Sequence, residues 1–201
     1  MSDRPLNFLC ISTFYKGVDF LKRCKAEGNN VYLLTMKKLE HENWPHESLD
    51  DIFYIERWND RDITKGIAHK YRTIKFDRFV ALDDFDVEKV AAIREHFRMP
   101  GMGSTTARYF RDKLAMRIKA KTEGVNVPAF TGLFNDEAIN NYADTVSPPW
   151  LLKPRSEASA AGIKKMQSKE ELWQIVNSLG DERDDFLIEK FAPGDVYHVD
   201  G

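Results

Sequence analysis

Residues 150–163 read WLLKPRSEASAAGI. An apolar strand ends on a lysine, Lys153, and a proline follows it into a run of residues with almost no bulk. A lysine at a strand end presents a compact point charge. A segment as slight as Ser-Glu-Ala-Ser-Ala-Ala-Gly lets its backbone N–H groups approach anionic oxygens closely, and Ser159 adds a hydroxyl donor. Taken alone, a surface turn with Lys153 merely solvated accounts for the stretch equally well, because small-residue loops are common. The flanking sequence has to decide between a phosphate cradle and a turn.

Downstream, residues 169–179 have helical spacing, with Ser168 and Glu171 as a capping box and Gly180 as terminator. Residues 186–189 (FLIE) predict a strand that runs into EKFAPGDVYHVD. Upstream lie a strand over 129–134 and a helix near 136–144. Before them, Pro100, Gly101 and Gly103 punctuate the chain. A single long helix is predicted from Ser104 to about Glu123, closed by Gly124 and barred from resuming by Pro128. It carries Asp112 and Lys113 in RDKLAMRIKAKTEGVNVP.

The first hundred residues have a different texture. Strands are predicted over 6–12 (LNFLCIS), 31–35 (VYLLT), 52–55 (IFYI) and 78–82 (RFVAL). Helices over about 18–27, 62–72 and 87–97 separate them, the first closed by Gly28 and the last capped by Asp86. Strands alternating with helices predict a parallel sheet with right-handed crossovers. The fold class is therefore α/β, with one domain over 1–100 and a second over 101–201.

With 201 residues, 42% hydrophobic and 31% charged, the chain can bury a sizeable core. Its formal net charge of −2 gives no long-range pull toward nucleic acid or anionic lipid, so any phosphate site must be local. The two cysteines, Cys10 and Cys24, fall in an apolar run and a helix, which fits reduced thiols better than a disulfide framework. Residues 6–11 are too short for a signal-peptide core, and no stretch approaches the roughly 20 apolar residues that span a bilayer. A soluble, cytoplasmic protein is expected.

Three motifs in order break the tie: Lys113 followed by Gly-Val-Asn-Val-Pro, then Lys-Pro with a small-residue loop ending Gly-Ile, then Glu-Lys-Phe with Pro-Gly close behind. Together they resemble the ATP-grasp superfamily, whose members are mostly carboxylate–amine or carboxylate–thiol ligases, including D-alanine–D-alanine ligases and biotin carboxylases. The resemblance covers the whole chain, though only the second half carries specific motifs. It implies a Rossmann-like pre-ATP-grasp domain, a linking helix and the small α+β lobe of an ATP-grasp domain, ending before the large C-terminal lobe. By that resemblance Lys113 and Lys153 match the two phosphate-contacting lysines, and Ser159, Ala160 and Gly162 the phosphate loop. The loop has alanines where biotin carboxylases carry glycines, and looks more like the loop of D-alanine–D-alanine ligases. Glu189, Lys190 and Ala192 match the hinge whose backbone groups meet the adenine edge. Asp195 is the nearest acid for the ribose, although the family often places that acid one position later, where Val196 stands.

The resemblance implies ATP and Mg²⁺ as cofactors, the metal ligands being expected outside this chain, and an unidentified carboxylate as substrate. No nucleic acid or membrane is expected as partner, and a homodimer remains open. Residues 1–201 alone are expected to bind ATP weakly and not to turn over. The rival reading is a non-catalytic nucleotide-binding or partner-docking module. A nicotinamide oxidoreductase is disfavoured, since the first turn, STFYKG, lacks the GxGxxG pattern and the second strand ends without an acid. Asp83, Asp84 and Asp86 follow a strand end but are most simply helix-terminal charges. The five histidines show no metal-ligand spacing. The four tryptophans are expected in the core or an interface.

Overall fold

A computed structural model of the protein describes residues 4–157, 162–195 and 197. The chain divides into two compact units, one running to Arg108 and the other starting at Tyr109.

The first unit is a three-layer α/β structure. Its elements are β1 (Asn7–Ser12), α1 (Val18–Ala26), β2 (Asn30–Met36), β3 (Asp51–Ile55), α2 (Asp60–Tyr71), β4 (Arg78–Ala81) and α3 (Val87–Phe97). All strands run parallel in the order β3-β2-β1-β4. Alternation along β1 explains its unbroken apolar run, because both faces of a parallel sheet are covered. Leu9 and Ile11 pack with Ile63 and Ile67 of α2 and Val90 and Ile93 of α3. Cys10, between them, faces Leu21 and Cys24 of α1 together with Trp44. Both thiols are free and buried. Burial pushes both up from the ordinary cysteine value.

The expected capping of α3 by Asp86 does not occur. A capping residue needs an extended backbone, whereas Asp86 is already helical at φ −93°, ψ −10° and makes no side-chain cap bond. Asp83 caps the preceding 3₁₀ turn instead, accepting from Phe85 N at 2.9 Å. The carboxylate of Asp86 turns back to the end of β1, accepting from Thr13 N and Thr13 Oγ1, both at 2.8 Å.

The long helix predicted over 104–123 is two helices, α4 (Ser104–Arg111) and α5 (Lys113–Thr122). They part at Asp112, which is extended at φ −81°, ψ 109°. Its carboxylate accepts from Leu114 N at 2.9 Å and Ala115 N at 3.3 Å, so a fresh N-cap starts α5. Ser104 contributes by donating its N–H (2.8 Å) and hydroxyl (2.7 Å) to Glu95.

The second unit continues with β5 (Phe130–Gly132), α6 (Asp136–Thr145), β6 (Trp150–Pro154), β7 (Lys164–Met166), α7 (Lys169–Leu179) and β8 (Phe186–Lys190). Its sheet is antiparallel throughout, in the order β5-β8-β6-β7. Strand β7 was not foreseen, because KKM presents two exposed lysines and only Met166 reaches the core. At α7 the capping box is half-made. Ser168 Oγ accepts from Glu171 N at 3.2 Å, but Glu171 accepts from Gln167 N at 2.7 Å.

Strand periodicity splits this sheet into two chemically different faces. Trp150, Leu152, Met166 and Ile188 join Ile139 and Tyr142 of α6 and Leu172 and Val176 of α7 in one core. Lys153 and Glu189 belong to the opposite face, on the side of α5. Gly132 lets that helix come close, since a Cβ there would lie 2.9 Å from Leu114 Cδ2, nearer than real Cβ atoms approach.

Candidate functional site

The register of β6 and β8 pairs Leu151 with Glu189 and Lys153 with Leu187. Lys153 and Glu189 are thus diagonal neighbours on one face, within reach for long side chains. The Lys153 ammonium donates to Glu189 Oε1. The other carboxylate oxygen, Oε2, accepts from Arg117 Nε at 3.2 Å. Glu189 is almost fully buried, at 5% side-chain exposure, while Lys153 and Arg117 keep 18% and 24%.

Arg117 follows Lys113 by four residues on α5, which places them on one helical face. The Lys113 ammonium donates to the carbonyl of Glu157 and lies 3.4 Å from that of Arg155. Its backbone N–H also donates to Arg155 O, at 2.9 Å. The start of α5 is therefore fastened to the chain leaving β6. Burial holds the Lys113 amine below the ordinary lysine value, and the charges of Arg111, Lys153 and Arg117 push the same way, with Glu157 opposing. Lys113, Arg117 and Lys153 are thus near enough to act on one another, and the last two share the buried Glu189 carboxylate. Excess positive charge in a half-buried place favours an incoming anion.

Asp112 and Arg155 fix this corner. Arg155 donates Nε to Asp112 Oδ1 at 3.0 Å and a second guanidinium N–H to Oδ2, a bidentate fork. It also donates to Asp184 O at 2.7 Å. Burial alone would raise the Asp112 carboxyl, but the hydrogen bonds and charge of Arg155, with the α5 N–H groups, hold it below the usual carboxylate range. The Asp112 hydrogen bond raises Arg155 in turn. Arg111 adds a further tie, donating to Ser156 O at 2.5 Å.

The remaining residues singled out from the sequence are placed as follows. Ser159 and Ala160 lie outside the described residues. Gly162 has φ +73°, and a Cβ there would meet Pro154 Cγ at 3.0 Å, so that position suits glycine. Lys190 points away from Glu189, as successive strand residues do. Its ammonium donates to Ser147 O at 2.7 Å and Pro148 O at 2.9 Å, and its backbone N–H to Ala129 O at 2.8 Å. Ala192 is exposed, and its backbone N–H has no hydrogen-bond partner among the described residues. Asp195 is exposed as well, with Tyr197 Oη 3.5 Å from its carboxylate.

Sequence reasoning missed Arg117 and the Asp112–Arg155 fork. For Arg117 a signal existed, its spacing of four from Lys113 in KLAMR. The fork joins residues 43 apart and left no local trace. Among the described residues no group of three or more His, Cys, Asp or Glu is placed to hold a metal ion. No helix among the described residues is long and apolar enough to cross a membrane.

Known proteins share this architecture. An L-arginine-specific L-amino acid ligase of Bacillus subtilis is 24% identical over 190 residues, which is 91% of this chain and 46% of that protein. A D-alanine–D-alanine ligase of Neisseria gonorrhoeae is 25% identical over 97 residues, 48% of this chain and 32% of the relative. The chain thus spans about half the length of the first relative, and its match spans about a third of the second. The crystal structure of an L-amino acid ligase from Bacillus licheniformis superposes with a TM-score of 0.66 at 19% identity, over 94% of this chain and 45% of that one. The biotin carboxylase domain of the Hydrogenobacter thermophilus 2-oxoglutarate carboxylase was solved with magnesium ADP, ADP and bicarbonate. It superposes with a TM-score of 0.67 at 18% identity, over 91% of this chain and 44% of its own. No family model matches the chain. The structural likenesses establish the fold, and with the curated relatives they show what the chain is similar to, the N-terminal region of ATP-grasp ligases.

Proposed function

We propose that this chain holds the nucleotide for an ATP-dependent ligase that joins a carboxylate to an amine through an acyl phosphate. The observation that carries the reading is the clustering of three cations, Arg117 and Lys153 on the buried Glu189 carboxylate and Lys113 on the chain leaving β6. In this reading Lys113 and Lys153 contact the phosphates, and Ser159, Ala160 and Gly162 belong to the phosphate loop. The end of β8 and the residues just after it, from Glu189 to Ala192, meet the adenine edge, where the Ala192 N–H is available to donate. Asp195 serves the ribose.

The chemistry asked of these residues is electrostatic. A substrate carboxylate oxygen attacks the γ-phosphorus as the bond to the departing ADP oxygen breaks. The amine then attacks the acyl carbon, and phosphate leaves. Cations held in a half-buried place stabilise charge spreading over the transferring phosphoryl oxygens without having to reorganise. The names of the relatives, an L-amino acid ligase and a D-alanine–D-alanine ligase, support an amino acid as one substrate.

Calorimetric titration of the chain with ATP tests this. A charge-assisted hydrogen bond is worth about 1.5–3 kcal/mol, so Lys153→Met should weaken binding roughly ten- to a hundredfold. Unchanged affinity in a folded variant would remove Lys153 from the site. Phosphate release with a panel of amino acids and other carboxylates then identifies the acceptor.

A further inference from the structure

Lys113 and Lys153, to which the proposed function gives the phosphates, each already have an acceptor within the second unit. Lys113 donates to the Glu157 carbonyl. A carbonyl is neutral, and giving up that bond strands no charge. Lys153 is held differently, by the carboxylate of Glu189. A phosphate that draws Lys153 away takes a cation from an anion whose side chain is only 5% exposed. Little water can reach the carboxylate to replace the lost partner, and a buried charge left without one is strongly unfavourable.

Arg117 removes that penalty. Its Nε donates to the other oxygen of the same carboxylate, Oε2, at 3.2 Å. Arg117 is carried by α5 and Lys153 by β6, so one can stay while the other side chain moves. Among the described residues Glu189 is the one acceptor of the Arg117 side chain, and no second bond competes for the guanidinium. Its terminal N–H groups are free to close on Oε1 once the ammonium has gone, completing the fork that arginine makes with a carboxylate. With a single cation, Glu189 would be left unpaired by every nucleotide bound. With two, Lys153 can be held in place and still be released.

We infer, on the nucleotide reading above, that Arg117 is a positioning residue: it keeps the Glu189 carboxylate paired while Lys153 passes from Glu189 to the phosphates. Arg117 is then no phosphate ligand itself. It acts on the nucleotide through Glu189 and Lys153, and its guanidinium remains on β8 throughout.

The test titrates the 201-residue chain with ATP by calorimetry, while side-chain NMR follows the Lys153 ε-carbon and the Arg117 Nε–H. On ATP addition the Lys153 signal should move, and the Arg117 Nε–H should stay protected from exchange. Arg117→Met should weaken ATP binding about tenfold. Arg117→Lys should come back to within about threefold of the unaltered chain, because a lysine ammonium reaches as far as the arginine Nε and the contact is a single one. In the Glu189→Gln background no anion is left to strand, so adding Arg117→Met should change ATP affinity by less than about twofold. Should Glu189→Gln fail to fold, the two NMR signals and the lysine variant decide. An Arg117 Nε–H that exchanges freely once ATP is bound would overturn the inference. So would an equal loss in the Glu189→Gln background, no recovery with lysine, or an Arg117→Met chain of unchanged affinity. Each of those leaves the proposed function standing if Lys153→Met still weakens ATP. ATP binding indifferent to Lys153→Met, or no ATP binding at all, would remove the proposed function and this inference with it.

Discussion

Lys153→Met and Glu189→Gln remove the same ion pair from opposite ends, and the structure predicts that they will not cost the same. Glu189 has two cationic partners, Lys153 on Oε1 and Arg117 on Oε2. In Lys153→Met the carboxylate keeps Arg117, so no buried charge is orphaned. The loss is one hydrogen bond to a charged group on a lysine 18% exposed, about 1–2 kcal/mol after allowance for solvent. In Glu189→Gln two half-buried cations lose their carboxylate at once, close to a third at Lys113. Removing one side of a buried pair costs about 3–5 kcal/mol, and partial exposure of the cations argues for the lower end, about 3 kcal/mol. Combining Glu189→Gln with Lys153→Met relieves one stranded cation, so the double variant should be more stable than Glu189→Gln alone. Amide exchange across β6 and β8, followed as urea is added, reads the second unit without requiring both units to unfold together. Equal losses in the two single variants, or a strictly additive double variant, would refute the shared-carboxylate argument.

Two other expectations follow from the start of α5. Asp112→Ala removes a cap worth about 1 kcal/mol and half of the fork with Arg155, whereas Asp112→Asn keeps the cap. Urea midpoints should therefore fall further for alanine, and equal midpoints would show that the cap contributes nothing. Lys113, depressed by burial and neighbouring cations, should titrate below the ordinary lysine value when followed by carbon NMR at its ε position. Its folded pKa lies below its unfolded one, so the unfolded chain binds more protons between the two, and stability rises with pH across that window. A phosphate ligand should shift the titration back upward. ATP affinity should fall as pH rises through the depressed pKa, and a flat profile there would place Lys113 outside the site.

Much of the architecture was legible because its causes are local. Short apolar runs and breakers located β1, β2, β3 and β4, and Gly28, Ser168 and Gly180 marked helix ends through their own backbone or side chains. What escaped depended on partners far along the chain. Asp112 reads as an ordinary helical residue until Arg155 and the α5 amides compete for its carboxylate. Asp86 looked like a cap until Thr13 claimed it. Lys164 and Lys165 have the composition of a loop, and only the exposed edge beside β6 makes them a strand. In the candidate site, Lys113 and Lys153 stood out as motif residues, while Arg117, four residues past Lys113, shared its helical face but gained its partner Glu189 only through the β6–β8 register.

The chain's two cysteines both lie in the first unit, on the layer shared by α1 and the sheet. Neither thiol meets solvent appreciably, and burial keeps both protonated, the form that does not react as a nucleophile. An alkylating reagent therefore finds no target until that layer comes apart. The pace of alkylation is the pace at which the first unit breathes, and the second unit, which has no cysteine, stays silent throughout.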